Sequence, residues 1–472
     1  MFSYYVALAL ASMRRTPVLT GLMVVALGLG IGAFMTTFTV YYLMSGDPIP
    51  HKSDVLFAVQ LDNWDPNSPP TESAEDVQPQ LTWQDGLNLM RADTPATRQA
   101  HMYSTGAIVV PESDDPPFDE NIRGTYQTFF EMFDVPFLHG GPWDSRADEE
   151  RASVAVIGRE LNDKLFGGEN SVGRSIRLDD NFFKIVGVID DWQPIPRFYH
   201  SDWSRAFQDT EQIFIPMTRA IDEPMAPRGN TNCWAPLDES VPVIEAFLKS
   251  ECVWTQFWAE LETPEQVAAY KDYLDNYVRE QKEAGRFPRP LNTFISDVNE
   301  WLDVMGVVGN DNRVQLRLSF LFLLVCVLNT VGLLLAKFLG KSGEVALRRA
   351  MGANRGAIFS QNLVEVGTIG ALGGIVGIGL AWLGLRGVES LYNGYQHLVS
   401  LDPVMLATAV ALSVAAAIAA GLYPVWRVSR LEPAGLLPEA YLFEPNAGTG
   451  ASLESSSTLD AATLVAIAAA SR

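Results

Sequence analysis

The chain has 472 residues, 48% of them hydrophobic, with a formal charge of −22. That length suffices for one or two packed domains plus membrane segments. The acidic balance excludes a nucleic-acid binder, which needs a basic footprint.

In chain order, residues 1–17 come first. Tyr4, Tyr5, Leu8, Ala9 and Met13 share one side of a short helix ending at Arg14. Such a helix either lies at the inner membrane surface or simply extends the first span into the cytoplasm. Four stretches then reach the roughly 20 apolar residues that a spanning helix needs: Val18–Leu43, Leu318–Ala336, Val364–Leu385 and Val404–Tyr423. A soluble fold would have to bury all four in one core, so the lipid bilayer is the expected solvent. The first stretch (residues 18–44) is too long for a signal peptide, and Tyr41 to Met44 offer no small-residue cleavage site.

Residues 45–316 form the expected exported domain, with 22 Lys/Arg against 47 Asp/Glu. It opens on a strand, Val55–Leu61, followed by a loop from Asp65 to Pro79. Its clearest unit is a strand around Val154, Val156 and Ile157, a helix Arg159–Phe166 stopped by Gly167-Gly168, and a hairpin. The hairpin joins Ser175–Leu178 to Phe182–Ile189 across Asp179, Asp180 and Asn181, which suggests mixed α/β structure with antiparallel pairing. Val267, Tyr270, Leu274 and Tyr277 mark a helix over Glu262–Gly285, and Asp297–Arg317 reads as a helical stalk into the second span. An oxidising compartment would permit a Cys233–Cys252 bridge; a disulfide is the expectation, with two free thiols as the alternative.

Residues 317–440 hold the second to fourth spans, the last capped by Asp402 with Pro403 in the first helical turn. Gly28/Gly32 and Gly370/Gly374 have the spacing that lets membrane helices approach closely. Asn329 is expected to hydrogen-bond to another helix. Residues 441–472 read as a low-complexity tail, with a weak helix at Thr458–Ala470. Gly340-Lys341-Ser342 resembles the end of a phosphate loop, but Leu335 stands where its other glycine must be. The five histidines show no ligand spacing, so no metal is expected, and no nucleophile–base constellation argues for an enzyme.

Lys337, Lys341, Arg348, Arg349 and Arg355 lie between the second and third spans, Arg14 and Arg15 before the first, and Arg427 and Arg430 after the fourth. Short basic loops stay in the cytoplasm, so both termini are expected inside and residues 45–316 outside. The short loop KSGEVALRRAMGANR then stands out. Its helix, residues 343–352, sets Val345, Leu347, Ala350 and Met351 against Glu344, Arg348 and Arg349, and Gly352 stops it. It serves either as a basic lipid anchor or as a docking helix.

Its neighbours favour the second reading. NTVGLLLAKFLGKSGEVALRRAMGANRGAIFSQNLVE and AGLYPVWRVSRLEPAGLL resemble the membrane segments of the MacB/FtsX-like family of ABC transporter permeases, and ALASMRRTPVLTGLMVVALGLGIGA resembles the family's first span. GTYQTFFEMFDVPFLHGGPW and VAVIGRELNDKLFGGENSVGRSIRLDDNFFKIVGVI resemble its periplasmic core domain. Gly343, Ala346 and the ending Pro433-Ala434-Gly435-Leu436-Leu437 depart from the pattern.

The resemblance implies a bacterial inner-membrane protein, polytopic and α-helical with four spans, carrying a large mixed α/β periplasmic domain between spans one and two. Glu344, Val345, Leu347, Arg348, Arg349, Met351 and Gly352 would couple it to a separate cytoplasmic ATPase, which binds the ATP and Mg²⁺; this chain would bind no cofactor. A second permease (homodimer or heterodimer), a periplasmic adaptor and an outer-membrane channel are the further partners implied. The implied work is export of a hydrophobic compound, peptide or antibiotic by mechanotransmission. Lipoprotein release and regulation of cell-wall hydrolases are the alternatives.

The charge asymmetry makes a direct prediction: cysteine labels at residues 45–316 react from outside, and labels near Arg349 only after permeabilisation. Reversed accessibility would overturn this topology.

Overall fold

The computed structural model describes residues 2–67, 76–202, 206–223, 225, 227–307, 310–391 and 403–430. Asp402 and residues 431–472, including the Pro433–Leu437 ending and the Thr458–Ala470 segment, lie outside the described residues.

Among the described residues, four helices are long and apolar enough to cross a membrane: Pro17–Met44, Asn310–Leu339, Arg355–Leu391 and Pro403–Ser429. Each runs past its apolar stretch, because a helix of 27 to 37 residues spans about 40–55 Å at about 1.5 Å per residue. Their packing is set by small residues. A Cβ added at Gly28 or Gly32 would sit 2.7 Å from Val376 or Leu380 of the third span. One at Gly370 or Gly374 would sit 2.5 Å from Ala417 or 3.0 Å from Ser413 of the fourth. The third span is thus gripped on two faces at a backbone separation that larger residues would forbid. Asn329 makes no hydrogen bond to another helix among the described residues; it lies on the exposed face of the second span with Leu324, Val325 and Leu328.

The N-terminal helix, Phe2–Arg15, is separate from the first span. The backbone leaves helical geometry at Thr16 (φ −129°, ψ 63°), and Pro17 starts the next helix, as its fixed φ favours. That decides for a distinct helix against a simple extension.

Between the first two spans lies a mixed α/β domain. Its strands are β1 (Leu56–Leu61), β2 (Arg98–Val110), β3 (Phe118–Thr125), β4 (Phe137–Gly140) and β5 (Val154–Gly158), then β6 (Ser175–Leu178), β7 (Asn181–Ile189), β8 (Ile213–Pro216), β9 (Gln256–Glu260) and β10 (Thr293–Asp297). They run in the order β10-β1-β9-β2-β3-β8-β5-β7-β4, with β6 across β2 and β7. Strand β2 joins two halves: Arg98–Met102 pair with β9, and Tyr103–Val109 with β3. The pairing is not antiparallel throughout, since β3/β8 and β5/β7 run parallel. The Arg159–Phe166 helix and its left-handed Gly167 stop (φ +65°) form as the sequence suggests. Asn181 belongs to β7 rather than the turn, leaving Asp179 (φ +51°) and Asp180 to close the hairpin.

The predicted Asp297–Arg317 stalk is broken. Asp297 caps a short helix, Val298–Val304, which ends at Met305 and Gly306 (φ +62°) before the second span begins at Asn310. That short helix is sewn into the domain: Trp301 packs edge-on to Trp258 and donates its indole N–H to the Phe198 carbonyl (2.8 Å). Because β1 follows the first span and β10 precedes the second, and the two strands pair, both membrane connections leave the same edge of the sheet. Cys233 and Cys252 are joined in a disulfide, tying the 230–250 excursion to the segment entering β9. His101 is wholly buried among Trp83, Tyr126 and Phe257, and burial pushes its imidazole down to about 3. His51 pairs with Asp134, whereas His397 lies outside the described residues.

Candidate functional site

The loop between the second and third spans forms a nine-residue helix, Ser342–Ala350, one residue earlier at its start and two shorter at its end than the sequence suggested. Met351 closes it, and Gly352 (φ +94°) takes a backbone conformation that L side chains rarely adopt.

Its apolar residues do not form one stripe. Successive helix positions turn by about 100°, so Val345 and Leu347 face nearly opposite ways. Val345 and Ala346 are buried against the membrane bundle. Leu347 (53% exposed), Ala350 and Met351 (73% exposed) form the outward ridge, at spacings of three and four. The charged residues divide likewise. Arg348 pairs with Glu344 (2.6 Å) and donates to Gln361 Oε1 of the third span (3.1 Å), so it braces the helix from within. Arg349 is half-buried. Beneath lies a cleft of about 210 Å³ between the loop helix, the N-terminal helix and the third span, lined by Ser12, Arg15, Val345, Arg348 and Asn362.

What holds these elements together is ionic and buried. Glu365, 2% exposed, sits on the third span where Lys337 and Lys341 converge. Lys337 Nζ lies 2.8 Å from Glu365 Oε1 and donates to Thr20 of the first span (3.2 Å). Lys341 Nζ reaches both Glu365 oxygens (3.1 and 3.2 Å) and also binds the Ser12 hydroxyl, which in turn donates to Glu365 (2.6 Å). The N-terminal helix and the second span thus meet on one third-span carboxylate at the root of the loop helix, and Lys337 ties in Thr20 of the first span. Lysines that marked topology in the sequence are therefore structural partners here. Glu365 is the residue sequence reading passed over, although its signal was present: an acid inside an otherwise apolar span signals a function or a buried partner.

These features define a polytopic membrane permease with an extracytoplasmic domain carried on one sheet edge. The family model described as the MacB-like periplasmic core domain matches residues 20–277, and that of the FtsX-like permease C-terminal matches residues 317–433. The chain belongs to the MacB/FtsX-like family of ABC transporter permeases. It is similar to the macrolide export ATP-binding/permease protein MacB of Syntrophobacter fumaroxidans, with 24% identity over 66% of this chain and 46% of that protein. The uncharacterized ABC transporter permease YvrN of Bacillus subtilis is 22% identical over 67% of this chain and 69% of that one. The chain thus spans about half the length of the MacB proteins it matches. The periplasmic region of MacB from Actinobacillus actinomycetemcomitans aligns with a TM-score of 0.35 at 11% identity, over 56% of this chain and 96% of that one.

Removing one partner of a buried ion pair typically costs about 3–5 kcal/mol, because the other charge is left uncompensated. Glu365→Gln should therefore destabilise the membrane bundle by about that much, and Lys337→Met in the same chain should restore part of the loss. Thermal unfolding in lipid nanodiscs reads both. Equal stability of Glu365→Gln and the parent would show that the charges are not coupled.

Proposed function

We propose that this chain is the membrane subunit of an ABC transporter that works by mechanotransmission. Its Ser342–Ala350 helix docks on a cytoplasmic ATPase, in which ATP and Mg²⁺ reside. The basic flanks Arg14, Arg15, Arg348, Arg349, Arg427 and Arg430 support a cytoplasmic position for this loop and both termini.

The observation that carries the reading is the outward ridge of Leu347, Ala350 and Met351 on a helix whose opposite side is anchored. An exposed apolar ridge on a short, rigid helix suits a partner groove read at three- and four-residue spacing. Two copies, like or unlike, would present two such helices to two ATPase chains. Asn329 on the exposed apolar face of the second span suits such a pairing, since an amide facing lipid is costly and hydrogen-bonds between helices. Closure of the ATPases would pull on the loop helix and, through Lys337, Lys341 and Glu365, on the spans. The spans would transmit that motion to β1 and β10 at the sheet edge.

The cargo is a hydrophobic compound, peptide or antibiotic already on the outer side, handed to an adaptor and an outer-membrane channel. Lipoprotein release and control of cell-wall hydrolases would use the same machinery.

Burying a Leu or Met side chain contributes about 1.5–3 kcal/mol. Leu347→Asp and Met351→Asp should therefore each lower co-purification with the candidate ATPase at least tenfold and reduce its permease-stimulated ATP turnover. Arg348→Glu should act more weakly and through loop stability, because Arg348 faces Gln361. Unchanged binding and turnover in both Asp variants would remove the docking assignment.

A further inference from the structure

A second site lies far from the loop helix, in the extracytoplasmic domain. A polar cleft of about 320 Å³ opens between β2, β3, the Arg159–Phe166 helix and the segment leading into β8. That volume falls at the lower end of the range for small-molecule sites, about 300–1,000 Å³.

Its floor is a buried charge network. Glu211 is bound by the wholly buried Arg123, lies 3.5 Å from Arg197 Nη1 and accepts from the Tyr199 hydroxyl (3.0 Å). Burial works against the Glu211 charge, yet Arg123 and then Arg197 hold its carboxyl well below the usual range. Arg123 and Arg197 thus face Glu211 at the floor, and Asp209 lines the cleft beside them. Among the described residues, two lining groups have unused donors: Arg197 (5% exposed) has no partner for its Nε–H, and Ser104 (8% exposed) has none for its hydroxyl. Leaving a buried donor unmade costs about 1–3 kcal/mol, more when it is charged. The rim carries two further acids. Glu120 and Glu160 line it and form no ion pair among the described residues, and burial pushes the Glu120 carboxyl up while Lys164 pulls it down. Lys164 itself lies over the Phe118 ring, 3.2 Å from its centre.

We propose that this cleft binds a small zwitterion, an amino acid or dipeptide, whose acceptor groups take the free donors of Arg197 and Ser104 and whose ammonium is balanced by Glu120 and Glu160. A cleft so polar and so divided in charge does not suit a hydrophobic compound, so it is a recognition site distinct from the path of an apolar cargo. It adds to the transport reading without depending on it, since binding here needs neither nucleotide nor ATPase.

The test is calorimetry on the full chain in lipid nanodiscs without nucleotide. The probes are glycine, glutamine and alanyl-alanine, with N-acetyl-alanyl-alanine and alanyl-alanine amide as blocked forms. At least one unblocked probe should bind, and blocking either end of alanyl-alanine should weaken it at least tenfold. Ser104→Ala and Glu160→Gln, which leave the Arg123–Glu211 pair intact, should each weaken the bound probe about three- to tenfold. Binding by no probe would mean that water alone fills the cleft, and would overturn the proposal. So would equal binding of blocked and free forms, or binding unchanged in both variants. Unchanged ATPase binding in the Leu347→Asp and Met351→Asp variants, with zwitterion binding intact, would instead count against the transport reading alone.

Discussion

A carboxylate placed inside a membrane helix is tolerated only where its charge is met, and Glu365 is met twice, by Lys337 and Lys341. Much of the membrane bundle at the loop-helix end follows from that constraint. The two lysines sit at the end of the second span and at the entrance to the loop helix, four residues apart and so on one side. Glu365 sits nearly three turns into the third span. Once these groups pair, the loop between the spans has no freedom to swing, and Ser12 draws the N-terminal helix onto the same point. A hydrophobic contact would hold these elements with less directional demand. An ion pair with hydrogen bonds on both carboxylate oxygens fixes orientation as well as proximity.

The consequence is mechanical. A force on the outward ridge of Leu347 and Met351 enters a helix buried on its other side by Val345 and Ala346 and braced by Arg348 to Gln361. It passes to the third span, which glycines bring close to the first and fourth spans. At the far end, the first and second spans join paired strands, and Trp301 locks the last short helix into the aromatic core of the domain. A chain of packed elements therefore runs from the loop helix to the sheet. On the way to the second span, the short helix ends at Met305 and Gly306 (φ +62°).

Much of this was legible in the sequence, for physical reasons that differ by region. The spans were, because lipid admits only long apolar helices and no partner is needed to recognise them. So was the unit from Val154 to Ile189, where alternation, a left-handed glycine stop and a turn of Asp residues each specify local geometry. The order of the sheet was hidden, because β1 and β10 are more than 200 residues apart and no local pattern encodes their pairing. The face of the loop helix was misjudged by grouping Val345 with Leu347, which helical periodicity itself forbids. Glu365 and the cleft around Arg197 depend on residues distant in sequence, so only the lone acid in an apolar span could have drawn notice.

The central claim is that the Glu365 ion pairs make the N-terminal helix and the loop helix one body. It is tested most directly by electron-spin distance measurements between labels at Leu10→Cys and Ala350→Cys, both exposed positions, with the buried Cys326 replaced by Ala. The account predicts a single narrow distance distribution in the parent and a broadened or shifted one in Glu365→Gln. The same narrow distribution in both would contradict it.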